Sequence, residues 1–264
     1  MTGREIRVTL PDGSEKRLPA GATGADLARA IGPGLAKAAV AIRVDGQVWD
    51  LARALPDGMK VAVLTDKDPQ ALDVLRHSSA HVLATAVRQL FPHAKIGFGP
   101  PIEDGFYYDF AVPTPFTPED LERIEAKMHE VVKADYPFVR EEVNREEAKR
   151  RFTDDPLKLE RIDDLGPNEV ISVYTDGPFV DLCRGPHVAS TGRVKHSSCC
   201  TPRAPTGAAT SAAKCCSAST ARRGSPRRTS RRTYGGWKKR ASATTACSAS
   251  SSICSRSRKT WDRG

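Results

Sequence analysis

The sequence predicts an α+β protein with two folded domains and a disordered C-terminal tail. In residues 1–65, short runs alternate apolar and polar side chains, which is the period of half-buried β-strands. Residues 66–196 combine such runs with longer segments in which apolar side chains recur every three or four residues, the period of helices. Residues 197–264 contain Ile253 as their only Val, Ile, Leu, Met or Phe, too little apolar area to offset chain entropy.

The first domain is predicted to be a β-grasp, ubiquitin-like module. Ile6, Val8 and Leu10 alternate with polar residues, and a Pro-Asp-Gly turn follows this first strand. Asp45 and Gly46 form a strong hairpin signal between the two middle strands. The elements are expected as strands near residues 6–10, 14–18, 40–44, 47–51 and 59–64, with a helix capped by Thr23 that runs through Ile31. This order of two strands, a helix, two strands and a last strand is that of the β-grasp fold.

The second domain is predicted to be an α/β unit built around one long helix. Residues 70–90 carry apolar side chains at helical spacing, and Phe91 and Pro92 end the pattern. A second helix should begin at Thr117 and run to about Ala134, because a capping residue is followed by proline and by acids that favour the helix dipole. Further elements are expected as strands at 94–99, 106–112, 138–143, 170–174 and 179–182, and as a helix from Asn144 to Arg151.

Four residues in two short segments form the strongest functional signal. His77 and His81 stand four apart in the long helix, so that both lie on one side of it. Cys183 and His187 also stand four apart, just after the last predicted strand. If the fold brings the two segments together, their side chains form either a tetrahedral metal site or a hydrolytic pocket.

Three further observations bear on whether these four residues form a metal site or a hydrolytic pocket. The zinc-protease motif needs glutamate directly after the first histidine, but Ser78 stands there, so this class of enzyme is disfavoured. Cys183 is also explained as a core residue at the end of a strand. Asp181, two residues before the cysteine, is suited to orient an imidazole ring.

Charge and cysteine are distributed unevenly along the chain. The tail holds 15 of the 41 basic residues and Asp262 as its only acid, so the body is mildly acidic. Of the seven cysteines only Cys183 lies in the body, which argues for a reducing compartment. No signal segment and no apolar run of membrane-spanning length is visible. We therefore expect a soluble, cytoplasmic protein without membrane contact, whose basic tail attracts nucleic acid at most unspecifically.

Four strings of the sequence are long enough to compare with known families. They lie at residues 77–81 (HSSAH), 96–110 (IGFGPPIEDGFYYDF), 156–160 (PLKLE) and 181–187 (DLCRGPH). With these strings the chain resembles the N-terminal region of bacterial threonyl-tRNA synthetases. Residues 1–65 are similar to the TGS module of that family. Residues 66–196 are similar to its editing domain, which alanyl-tRNA synthetases share.

The resemblance implies hydrolysis of seryl-tRNA that was made by mistake on threonine tRNA. Serine lacks one methyl group of threonine, and one methyl gives a synthetic site only about 1–3 kcal/mol of discrimination. A second pocket can admit serine and exclude threonine by a steric clash. The resemblance assigns seven residues to this pocket: His77, His81, Cys183 and His187 as its lining, Asp181 as a contact to polar groups of the substrate, Lys158 with His77 to position water, and Tyr108 as a contact to the terminal adenosine.

The resemblance also implies the cofactors and partners of the chain. No cofactor is expected in this sequence, because the family's ATP site and its zinc-bound threonine site belong to a catalytic core that follows the editing domain. Zinc at His77, His81, Cys183 and His187 stays an alternative, since the alanyl version of the motif is read as a zinc site. The expected partner is threonine tRNA mischarged with serine. A monomer is expected, because the family's dimer contacts lie largely in the core.

The tail suggests why the family's continuation is not visible. If one base is added after the codon of His196, a back-translation of residues 196–202 encodes His-Phe-Lys-Leu-Leu-His-Thr, similar to the family's next segment. We interpret residues 197–264 as a frameshifted tail on a truncated synthetase, without ligase activity. Two alternatives to an editing hydrolase remain: an inactive fragment that binds tRNA or the ribosome, and a zinc-dependent hydrolase of the alanyl type.

Overall fold

The computed structural model describes residues 4–97, 99, 101–102 and 105–194, and the backbone of residues 198–203 and 211–216. The first domain has seven elements, namely β1 (Glu5–Thr9), β2 (Glu15–Pro19), α1 (Gly24–Ile31), α2 (Pro33–Ala38), β3 (Ala39–Val44), β4 (Gln47–Trp49) and β5 (Val61–Thr65). β1 and β2 form an antiparallel hairpin, and β3 pairs with both β4 and β5. This order confirms the α+β class and the predicted β-grasp module.

One helix of the first domain was not predicted. The sequence analysis ends the helical region at Gly32, but a second short helix, α2, begins at Pro33. Proline is well suited to the first turn of a helix because its missing N–H would have no partner there. Thr23 caps α1 as predicted, because its hydroxyl accepts from the Asp26 N–H. The Asp26 carboxylate in turn accepts from the Thr23 N–H, which completes a capping box.

The second domain has α3 (Pro69–Leu90) as its central helix. The elements that follow are β6 (Lys95–Ile96), β7 (Pro101–Ile102), β8 (Gly105–Ala111), α4 (Pro118–Ala134), β9 (Phe138–Val143), α5 (Arg145–Arg151), α6 (Pro156–Asp164), β10 (Ile171–Asp176) and β11 (Phe179–Leu182). β10 lies between β9 and β11 in an antiparallel sheet, and β8 pairs with β6 and β7. The strand predicted at 94–99 is shorter than expected, and α6 was not predicted as a helix.

The core of the second domain surrounds α3. Both faces of this helix are buried over most of its length, and Leu83 and Val87 have no exposed area. Aromatic side chains of β8, among them Phe106 and Phe110, lie in the same cluster. The cluster also contains Val40 and Leu64 of the first domain, so the two domains share an apolar interface. Within the described residues, no helix combines the length and the apolar composition that a membrane span requires.

Two short strands lie in the segment for which disorder was predicted. β12 (Ser198–Arg203) pairs with β13 (Ser211–Cys216), and β13 pairs with β8. The prediction rested on the scarcity of apolar side chains, but strand pairing uses the backbone N–H and C=O groups that every edge strand offers. The remaining parts of the predicted tail, residue 197 and residues 204–210 and 217–264, lie outside the described residues.

Gly24 tests the contact between α1 and β3. A Cβ atom at Gly24 would lie 2.8 Å from Cδ1 and from Cγ2 of the fully buried Ile42. We expect Gly24→Ala to lower the free energy of unfolding by about 1–3 kcal/mol through overpacking. Urea denaturation measures this, with Gly34→Ala as the matched control.

The control should behave in the opposite way. A Cβ atom at Gly34, in α2, meets nothing within 4 Å. Alanine there should leave stability unchanged or raise it by up to about 1 kcal/mol, because it restricts the unfolded chain. Equal destabilisation by the two substitutions would show that α1 does not approach β3 this closely.

Candidate active site

The predicted site residues converge on one cavity of the second domain. The cavity has a volume of about 1070 Å³ and lies between α3, β8, α6 and the segment after β11. Its lining includes six of the seven predicted residues, namely His77, His81, Tyr108, Lys158, Asp181 and Cys183. The seventh, His187, is 1% exposed and lies directly behind this wall, with its ring centroid 4.3 Å from that of His77.

The spacing of the two helix histidines places them one above the other on α3. Their ring centroids are 5.5 Å apart and the planes are nearly perpendicular. His81 is buried, whereas His77 is partly exposed towards the cavity. Ser78 between them serves the site as well: its hydroxyl donates to the Val74 carbonyl, accepts from the Val188 N–H, and lies 3.2 Å from Nδ1 of His187.

The loop from Cys183 to His187 is held in place by backbone contacts. Cys183 donates its N–H to the Ser172 carbonyl on β10, and the Ser172 hydroxyl donates to the Cys183 carbonyl. Gly185 has a φ of +73°, and a Cβ atom there would lie 2.0 Å from the Tyr174 hydroxyl. Only glycine suits this position, for both its backbone conformation and its close approach to Tyr174.

Imidazoles surround the sulfur of Cys183. Its Sγ lies 3.3 Å from Nε2 of His77 and 3.3 Å from Nε2 of His187, and the Gly185 N–H points at it from 3.3 Å. Burial by itself raises the pKa of this thiol, but the neighbouring His77 and His81 outweigh burial and lower it to about 6. Cys183 is therefore a thiolate near neutral pH, which is the reactive and metal-binding form.

Asp181 lies at the centre of a buried polar network. One of its oxygens lies 2.6 Å from the Lys158 ammonium, and the other accepts a 2.6 Å hydrogen bond from the Tyr108 hydroxyl. Burial would raise the pKa of Asp181, but Lys158 and His81 overcome this effect and hold it below its usual range. Lys158 also donates to the Gly97 carbonyl at 2.8 Å. The network fixes one ammonium and one carboxylate at the wall of the cavity.

His81 stands between two buried carboxylates. Its Nε2 lies 3.5 Å from Asp181, and its Nδ1 lies 3.7 Å from Asp176. Burial lowers the pKa of an imidazole, yet the thiolate of Cys183 and the two carboxylates raise that of His81 to about 10. Asp176 is itself fixed by the Thr85 hydroxyl, which donates to it at 2.5 Å. Sequence reasoning missed both Asp176 and Thr85, since neither belongs to a motif.

The cysteine and histidine cluster also fits a zinc ion in its chemistry. One thiolate and three imidazoles are ligands that zinc prefers, and their ligand atoms all lie within 4.8 Å of one another. The Ser78 hydroxyl uses its proton to donate to the Val74 carbonyl, so towards His187 it can only accept. Nδ1 of a neutral His187 must therefore carry the ring proton and donate it to the Ser78 oxygen. The lone pair of Nε2 then faces the sulfur. Burial and the neighbouring histidines keep the pKa of His187 well below its usual range, which favours this neutral form.

The fold and the site define a β-grasp domain followed by a tRNA synthetase domain of the editing type. Residues 6–65 match the TGS domain family. Residues 171–198, which hold Asp181, Cys183 and His187, match the threonyl and alanyl tRNA synthetase second additional domain.

Over about 72% of its length the chain is similar to threonine–tRNA ligases. It is 53% identical over 192 residues to the threonine–tRNA ligase of Symbiobacterium thermophilum, which is 72% of this chain and 30% of the relative. The enzyme of Citrifermentans bemidjiense is 53% identical over 193 residues, and that of Maricaulis maris 52% over 191, with the same shares. The chain thus spans about 30% of the length of the relatives it matches. The resemblance to threonyl-tRNA synthetases is confirmed, while the domain boundaries and the roles of the seven site residues stay predictions.

The reactivity of Cys183 tests the electrostatics of the cluster. With a pKa of about 6, the thiol should react with iodoacetamide at a rate that rises through pH 6 and levels off above pH 7. A small-molecule thiol should still accelerate up to about pH 9. Mass spectrometry of the peptide that contains Cys183, on protein treated with a chelator, gives the rate at each pH.

A substitution of His77 tests whether this residue lowers the pKa of the Cys183 thiol. His77→Gln removes one of the two imidazoles that lower the pKa of the thiol, so the pH of half-maximal rate should rise. An unchanged profile would mean that His77 does not stabilise the thiolate. His129→Gln, an exposed change on α4, should leave the profile as it is in the unsubstituted chain.

Proposed function

We propose that the second domain hydrolyses seryl-tRNA formed on threonine tRNA. The observation that supports this most is the convergence of a thiolate, three imidazoles, an ammonium and a carboxylate at one cavity, from segments far apart in the sequence. Such a wall offers donors and acceptors to a small polar amino acid. The similarity to threonine–tRNA ligases gives the substrate class.

The reaction is the hydrolysis of an ester. Water adds to the carbonyl carbon of the seryl group, the bond to the ribose oxygen breaks, and the proton of the water passes to that oxygen. In this proposal Lys158 and His77 hold the water, because both line the cavity. The Asp181 carboxylate and the Cys183 thiolate attract the ammonium of serine. Tyr108 contacts the terminal adenosine.

Selection against threonine follows from the packing behind the cavity wall. The ring of His187 stacks on Phe138 with centroids 4.7 Å apart and an angle of 6° between the planes. The rings of His77 and His81 also contact the His187 ring, with centroids at 4.3 and 4.1 Å. Side chains locked in this way cannot retreat from an added methyl group, and overpacking typically costs about 1–3 kcal/mol. In this proposal the pocket accepts serine and excludes threonine, which is the opposite of the preference of a synthetic site for threonine.

A zinc-dependent hydrolase is the second candidate, favoured by the donor set described above. In this case Cys183 and the three histidines would hold the ion, which would polarise the carbonyl group of the substrate. The two candidates use the same residues and differ in whether a chelator abolishes activity. For either candidate the partner is an aminoacylated tRNA, and the place of action is the cytoplasm, where tRNA is charged.

Deacylation of seryl-tRNA and threonyl-tRNA, both made on threonine tRNA, tests the proposal. The unsubstituted chain should release serine and leave threonine bound. Cys183→Ala and His77→Ala should each lower the rate by about 100-fold or more, the usual contribution of positioned acid and base groups. His129→Ala, an exposed histidine on α4, is the matched control and should keep the full rate.

The other outcomes are equally informative. Equal release of serine and threonine would refute the selection by size. Full activity in both site variants would place hydrolysis elsewhere. Loss of activity with a chelator, restored by zinc, would select the zinc-dependent candidate. Binding of tRNA without any hydrolysis would favour a module that only binds.

A further inference from the structure

The first domain contributes a buried carboxylate to the loop that carries Cys183 and His187. Asp50 follows β4 and is 7% exposed. One of its oxygens accepts a 2.5 Å hydrogen bond from the backbone N–H of His187. The other accepts a 2.8 Å hydrogen bond from the hydroxyl of Tyr174 on β10. Both donors belong to the second domain.

These two hydrogen bonds support the Cys183–His187 loop at two separate points. The N–H of His187 fixes the C-terminal end of the loop. The Tyr174 hydroxyl lies directly beneath Gly185, where a Cβ atom would come within 2.0 Å of it, so it supports the middle. The Tyr174 ring also contacts the His187 ring edge to face, with centroids 4.5 Å apart. Asp50 therefore holds the His187 backbone directly, and through Tyr174 it supports the position of Gly185.

Hydrogen bonds of this type are strong and costly to lose. A hydrogen bond to a carboxylate is stronger than one between two neutral groups, and a buried donor left without its partner destabilises the fold. The burial of Tyr174 and the nearby Asp50 raise the pKa of its phenol far above the usual range, so that it stays a donor at every relevant pH.

Other contacts join the two domains independently of Asp50. The Arg193 guanidinium donates to the carbonyls of Lys37 and Ala39 at 3.0 and 2.6 Å. Val40 and Leu64 belong to the apolar cluster around α3. Because these contacts hold the domains together, the loss of Asp50 should loosen the Cys183–His187 loop while the interface stays intact.

We propose that Asp50 is a positioning residue for hydrolysis in the second domain, through which the β-grasp domain holds the Cys183–His187 loop in its reactive arrangement. The inference rests on the proposed function, and it assigns the β-grasp domain a part in the reaction besides any contact with RNA. Asp50 acts through the loop and does not touch the substrate, since Asp50 is absent from the lining of the cavity.

The test compares Asp50→Ala and Asp50→Asn in the whole chain. Asp50→Ala removes both acceptors and should lower kcat for seryl-tRNA by about 10-fold to 100-fold, as expected for a misplaced reactive group, with little change in KM. Asp50→Asn should recover part of the rate, because its carbonyl can accept from His187 and its amide can donate to the Tyr174 oxygen. Arg193→Gln is the matched control: it removes a separate polar contact between the domains, the hydrogen bonds to the Lys37 and Ala39 carbonyls, and should keep kcat within about twofold of the unsubstituted chain.

Hydrogen–deuterium exchange of residues 183–188 supplies a readout that is independent of catalysis. Asp50→Ala should speed exchange in this segment, whereas Arg193→Gln should not. If kcat and exchange are both unchanged in Asp50→Ala, or if exchange rises while kcat stays the same, the inference is overturned. If Asp50→Ala does not fold, Asp50→Asn decides by the same two measurements. If the unsubstituted chain hydrolyses no aminoacyl-tRNA, the proposed function fails, and faster exchange in Asp50→Ala would still support the positioning of the loop.

Discussion

The geometry of the site depends on the contacts that the buried carboxylate of Asp181 makes with its charged and hydrogen-bonding partners. A carboxylate that is 1% exposed costs several kcal/mol unless charged and hydrogen-bonding partners surround it. Its partners come from three elements: Lys158 from α6, Tyr108 from β8 and His81 from α3. The domain can fold only with these elements in contact around the carboxylate. The cavity is the space that remains beside them.

The same network explains the reactivity of the cysteine. Asp176 and Asp181 stabilise the charged form of His81, and this imidazolium with His77 stabilises the thiolate of Cys183. The thiolate in turn raises the pKa of His81, so each charge supports the next in an interior of low polarity. His187 behaves in the opposite way: burial and the neighbouring His81 and His77 hold its pKa well below the usual range. The pKa of each of these residues is thus set by its burial and by its contacts with residues far away in the sequence.

Local signals made the elements and the central motif predictable from the sequence. The helical spacing of His77 and His81 and the Cys183–His187 spacing predicted a shared site, and the resemblance added Lys158 and Tyr108. The supporting residues were not predictable, because their roles arise only from tertiary contacts: Ser78 orients His187, Thr85 fixes Asp176, and Asp50 reaches the loop from another domain. The helix α6 was missed for a similar reason. Its buried side chains are few, Lys158 and Ile162, and the first of them is polar.

The proposed selection between serine and threonine requires a rigidity that the Cys183–His187 segment cannot supply by itself. The segment has no regular secondary structure, and a pocket that yields by a few tenths of an ångström would admit the extra methyl group. Its stiffness must therefore come from outside: from Ser78 on α3, from Ser172 and Tyr174 on β10, and from Asp50 of the β-grasp domain. Of these, Asp50 alone couples the pocket to a second folding unit. Under the proposed function, the accuracy of the pocket then depends on the fold of both domains, because the Asp50 carboxylate of the β-grasp domain accepts from the His187 N–H.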